Sequence, residues 1–122
     1  MVKRFSDGSK NDSRALQIWQ ILIAAAHNRQ IVTYKILAKI LGYGGSGVFG
    51  QPLGHIAYFC NQNRLPPLTC LVVNEKTGRP GKGIPVNKVS SKREKVFNYP
   101  WFDIIPPSRI ELRQAYVKKG KS

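Results

Sequence analysis

Acidic residues are scarce in this chain. Six Asp and Glu stand against twenty Lys and Arg over 122 residues, giving a formal net charge of +14 and a pI near 10.3. So few acids cannot pair the cations internally, and a surface built only for solubility mixes both signs. The excess implies a polyanionic partner, because each basic group that neutralises a phosphate releases a counterion. Nucleic acid suits this balance ahead of an anionic membrane surface or an acidic protein. Histidine and cysteine are equally rare, with two of each. His27 and His55 stand apart from Cys60 and Cys70, so no spacing resembles a zinc site and neither metal nor cofactor is expected. Both cysteines sit among apolar residues, and two buried thiols in a cytoplasmic protein are expected ahead of a disulfide.

Long apolar runs are missing too. The longest, Ile18 to Ala26, is interrupted by Gln20 and falls well short of the roughly 20 residues of a membrane span. The N-terminal stretch is basic and polar, with no compact apolar segment and cleavage site behind it, so no secretory signal is expected. The reading is a cytoplasmic protein, nucleoid-associated if bacterial. Residues 1–12 read as a flexible basic tail, and 13–122 as a single domain, the size that one core supports.

Hydrophobic residues make up 42% of the chain, enough to fold, and they recur in order. Leu16, Trp19, Leu22, Ile23 and Ala26 share one face of a first helix over about 14–27, with Asp12 or Ser13 as its cap. Thr33 is a good N-cap for a second helix, 34–41, whose Ile36, Leu37, Ile40 and Leu41 should face inward. Gly42 should end it in the left-handed region. After a glycine-rich turn, Pro52 suits the first turn of a third helix. Leu53, Ile56, Ala57 and Cys60 form its inner face, while Gln51, His55, Tyr58 and Gln62 fall together on another. The pair reads as helix-turn-helix. Leu65-Pro66-Pro67 stops the third helix, and Leu68 to Val73 reads as a short apolar strand. The following basic turn reads as a hairpin wing, with Pro80 confining its return strand to an edge. Ser90 to Lys95 reads as a basic polar loop. Phe97, Tyr99, Trp101, Phe102, Ile104 and Ile105 then form a segment that either covers the core or makes a homodimer interface. Ser108 to Glu111 is a capping-box pattern opening a last helix over 108–119. The expected fold is therefore α+β: a winged helix-turn-helix with a three-helix core, a β-hairpin wing, an aromatic extension over 85–107 and a final helix.

Four segments within residues 16–84 carry a family resemblance: Val32 to Gly42, Gly47 to Ile56, Asn63 to Leu68 and Leu71 to Gly78. Their order resembles the winged-helix DNA-binding domain of the alkylguanine-DNA alkyltransferases and the alkyltransferase-like proteins. The resemblance implies that Tyr34, opening the second helix, presses on the DNA backbone. Two departures bear on activity. Gly47 stands where the family carries an arginine finger. The family also reads Pro-Cys-His-Arg, or Pro-Trp-His-Arg, before paired valines, whereas this chain reads Leu68-Thr69-Cys70-Leu71 before Val72 and Val73. Thr69 falls at the nucleophile position and Cys70 at the histidine position. A thiol reacts as thiolate and needs a neighbouring base or cation, and Cys70 has no adjacent His. Alternation along a strand would turn Cys70 inward with Leu68 and Val72.

The expected function is non-catalytic binding of double-stranded DNA by a regulator or a lesion or structure sensor. The recognition helix, about 51–63, would enter the major groove. Gln51 and His55 are the first base-edge candidates, followed by Tyr58 and Gln62, since Gln bonds adenine bidentately. Ser46, in the turn before it, is a further DNA-binding candidate. Lys35, Lys39, Arg64, Lys76, Arg79 and Lys82 would hold phosphates, the last three on a wing over about 74–84. An enzymatic alternative is a small basic nuclease using His55 or His27 with Glu75 or Asp103, although no paired-carboxylate or His-rich motif is present. A third reading is an RNA- or ribosome-binding module acting through charge alone.

Overall fold

In the computed structural model, residues 11–42, 49–76 and 89–118, with Val2, are described. The described residues form five helices and one two-stranded sheet: α1 Asn11–His27, β1 Val32–Thr33, α2 Tyr34–Leu41, α3 Gly50–Gln62, β2 Val72–Val73, α4 Val89–Asn98 and α5 Arg109–Val117. Short 3-10 turns occupy Leu68–Leu71 and Trp101–Asp103.

The first helix is the hub. Ala15, Ile18, Trp19, Leu22 and Ala26 recur at helical spacing and are fully buried. α1 packs against α3, α5, α4 and both 3-10 turns. Trp19 sits at the centre, meeting Phe59 edge-on at 5.7 Å and Trp101 edge-on at 5.6 Å. Those geometries suit the ring quadrupoles. The aromatic segment after α4 thus closes the core. Trp101 is buried and donates its indole N–H to the Val96 carbonyl at 2.8 Å, while Tyr99 lies 4.6 Å from its ring. Phe102 and Ile105 stay exposed.

Helix boundaries follow local chemistry. Thr33 caps α2 through its hydroxyl, which accepts from the Ile36 N–H at 3.1 Å, and Gly42 ends the helix at φ 77°. Ser108 and Glu111 form the expected capping box on α5. α1 and α3 end in the same reciprocal pattern, with an arginine where glycine is usual. Gln30 N–H bonds the Ala25 carbonyl and Arg29 N–H that of Ala26; Leu65 N–H bonds Cys60 and Arg64 N–H bonds Asn61. Arg29 and Arg64 therefore occupy the left-handed region, at φ 54° and 57°.

Several expectations are corrected. The fold is not a three-helix core with a β-hairpin wing: β2 pairs with β1 in parallel, Val32 opposite Val72 and Thr33 opposite Val73. Residues 68–71 are not strand. They coil into a 3-10 turn, which inserts four consecutive buried side chains beside α1 and α3. An apolar run of this length reads equally well as strand or buried turn. The basic stretch around Ser90 to Lys95 is helix α4, not loop. Buried Val96 and half-buried Phe97 anchor it against the core, and Arg29 holds its outer side: to Glu94 at 2.6 Å, to Asn98 at 3.3 Å, and over the Phe97 ring at 5.0 Å. Ile36 and Ile40 do not face inward. They are about half exposed, and α2 buries Leu37, Ala38 and Leu41 instead. The return strand of the expected wing and the glycine-rich turn at 43–48 lie outside the described residues.

Candidate nucleic-acid interface

Three groups of exposed cations stand apart from the Arg29 and α4 cations of the described surface. α2 presents Lys35 and Lys39 one turn apart, both exposed. Arg64, held at the end of α3 by its backbone bonds, is exposed, as is Lys76 in the turn after β2, where its N–H bonds the Asn74 side chain at 2.8 Å. Arg109 and Arg113 lie one turn apart on α5, with Lys118 just beyond it. The acids offset little of this. Glu94 is bound to Arg29, Asp12 is buried 3.8 Å from Arg109, and Glu111 is committed to the α5 cap. Of the other described acids, Glu75 beside Lys76 and Asp103 are exposed, so phosphates on this cation-rich surface have two free carboxylates to meet.

Gln51, His55, Tyr58 and Gln62 do share one face of α3, but α5 lies across it. The His55 ring is buried and stacks on Tyr116, with centroids 4.4 Å apart and planes within 10°. Its Nδ1 lies 2.6 Å from the Gln51 carbonyl. Tyr58 meets Tyr116 edge-on at 6.1 Å, and Gln62 donates to the Ala115 carbonyl at 2.8 Å. Gln51 is exposed and accepts from Asn11 at 2.7 Å. Gly54 permits this docking: a Cβ there would lie 2.9 Å from Cε1 of Tyr116. Helical spacing identified the shared face, but it carried no signal that a later helix would cover it.

Tyr34 is half-buried and its ring leans on Phe49 at 6.1 Å, packed against the core. Ser46, Arg79 and Lys82 lie outside the described residues. Sequence reading missed Arg29, Arg93, Arg109 and Arg113. Their helical spacing was a usable signal for the α5 pair once the capping box had placed that helix.

The thiols are set against nucleophilic chemistry. Cys60 and Cys70 are both buried and free. Burial pushes the Cys60 thiol up to about 12 and Cys70 up to about 11. Arg93, whose Nε donates to the Cys70 carbonyl at 3.4 Å, and Lys92 pull Cys70 the other way but do not overcome desolvation. Thr69, at the resemblance's nucleophile position, is fully buried, and its hydroxyl has no hydrogen-bond partner among the described residues. Both thiols should resist a disulfide reagent in the native protein and react at once in denaturant. Rapid native-state labelling of Cys70 would contradict this burial. Because both thiols bind their protons more tightly when folded, their contribution to stability is intact below pH 9. It is lost as pH rises from 9 towards 11 for Cys70, and towards 12 for Cys60.

Among the described residues, no group of three His, Cys, Asp or Glu side chains is placed to hold a metal ion, and no helix is long and apolar enough to cross a membrane. Set beside known proteins, the chain matches no family model and shows no significant similarity to a curated protein or a solved structure.

Proposed function

We propose that this chain is a non-catalytic, cytoplasmic DNA-binding protein that grips the duplex backbone through exposed lysines and arginines. The observation that carries the reading is the charge balance: a net charge of +14, with three acids drawn into internal contacts while Lys35, Lys39, Arg64 and Lys76 stand exposed. The protonated, buried thiols and the lack of an adjacent histidine favour binding without alkyl transfer. A sequence-specific regulator and a lesion or structure sensor are two forms of this reading, and Gly47 in place of an arginine finger, with the altered motif before Val72, counts against the second. Because α5 covers His55 and engages Gln62 through the Ala115 carbonyl, phosphate contacts on α2, Arg64 and the Lys76 turn take precedence. Gln51, exposed at the start of α3, remains the base-edge candidate.

Affinity for duplex DNA, single-stranded DNA and RNA of one length and at one salt concentration tests the proposal. Tighter binding to duplex DNA is expected. Equal affinity for all three would favour a charge-driven RNA or ribosome module instead. Cleavage of any of them with added divalent metal would favour the nuclease reading.

A further inference from the structure

Beyond backbone binding, the molecule carries a cleft of about 430 Å³ where the first turns of α1 and α3 meet α5. That volume lies within the range of small-ligand sites and accommodates a mononucleotide. Its lining combines four kinds of chemistry. Asn11 and Gln51 present two side-chain amides, fixed relative to each other by their 2.7 Å bond. That bond uses one Asn11 donor and the Gln51 carbonyl, leaving the Gln51 NH2 and the Asn11 carbonyl to a ligand. Asp12 supplies a carboxylate only 5% exposed. One of its oxygens accepts from the Ser13 N–H at 2.8 Å and the other lies 3.8 Å from Arg109, too far for a direct hydrogen bond. Ionised carboxylate oxygens offer about four acceptor positions between them, so capacity remains. Tyr116, stacked on His55, forms an aromatic wall. Arg113, exposed at the rim, has no ion-pair partner among the described residues.

We infer that this cleft binds a single guanine nucleotide. A buried carboxylate lined by amides asks for a ligand with adjacent donors, and guanine offers them as N1–H and N2–H₂ on one edge. The two amides can read the remaining donors and acceptors of the base. The aromatic wall suits a flat ring, and Arg113 suits the phosphate. The same chemistry is offered by a free nucleotide and by an unpaired guanine in a strand. The site does not need duplex binding to work.

The probes are 5′-GMP, 5′-AMP, 5′-CMP and inorganic phosphate, titrated against the full chain by calorimetry. A second set compares a duplex carrying one bulged guanine with the same duplex fully paired. GMP is expected to saturate the protein, to bind at least about tenfold more tightly than AMP or CMP, and to resist displacement by inorganic phosphate. Gln51→Ala and Arg113→Ala, both at exposed positions, should each weaken GMP by about tenfold while leaving the circular dichroism spectrum unchanged. Asp12→Asn should erase the preference for GMP over AMP. Preference for the bulged duplex identifies an unpaired base as the source, whereas GMP binding without it identifies a free nucleotide. Failure of all nucleotides to saturate, or equal competition by inorganic phosphate, overturns the site. So does unaltered GMP affinity in both the Gln51 and Arg113 variants. If duplex binding survives in that case, only the cleft is lost; if GMP binds and duplex does not, only the backbone reading is lost.

Discussion

Raising salt from about 50 to about 200 mM should weaken duplex binding roughly 10³-fold if the six foreseen cations each neutralise a phosphate. Six contacts give a slope of log K against log salt of about −5, and a fourfold rise in salt then removes about three decades. Lys35 and Lys39 are the sharpest probes, because both lie exposed on one well-capped helix and neither shares an ion pair among the described residues. The double change Lys35→Ala and Lys39→Ala should reduce the slope by about 2 and weaken binding evenly across DNA sequences. A slope unchanged by that variant would move the contact surface away from α2. A binding constant indifferent to salt would remove the electrostatic proposal altogether.

Trp19→Ala should cost about 3–5 kcal/mol, a large share of the roughly 5–15 kcal/mol that holds a domain of this kind together. Trp19 is fully buried and its ring is gripped by Phe59 of α3 and Trp101 after α4. Removing it opens a cavity at a point where three elements meet, and close-packed surroundings fill such a void only in part. The contrast with Trp19→Phe sharpens the test. The Trp19 indole N–H has no hydrogen-bond partner among the described residues, so phenylalanine removes a buried, unsatisfied donor along with some volume. That variant should lose about 1 kcal/mol or less. Chemical denaturation of the two variants decides the matter: similar losses in both would mean that the core relaxes around the site.

Legibility in the sequence tracked the range of the interaction. Thr33, Gly42, Ser108 and Glu111 announce their roles through neighbours within four residues, and the structure places them as read. The inner face of α3 was equally clear, because Leu53, Ile56, Ala57 and Cys60 repeat at helical spacing. α4 was hidden because its sequence is almost wholly polar. It is held through Val96 and Phe97 at its end and through Arg29, 65 residues away from its partner Glu94. The 3-10 turn at Leu68–Leu71 was hidden for the opposite reason, since every residue in it is buried and no alternation distinguishes inside from outside. For the candidate interface, the type and excess of charge were legible, whereas the docking of α5 on α3 was not. That docking rests on Gly54 and Tyr116, two residues far apart in the chain with no shared periodicity.

The two-residue parallel sheet sets how this chain must reach its native state. Val32 and Val72 can meet only after α2, α3 and the 3-10 turn between them have found a shared arrangement, so the pairing is a long loop closure rather than a local zip. The Arg29–Glu94 pair and the contact of α1 with α5 span still longer loops. A largely helical domain of this kind should therefore fold more slowly than a bundle held by neighbouring helices, with individual helices flickering early and commitment arriving late. Valine substitutions in the sheet would then act by slowing folding, because the closure that they weaken is the committing step.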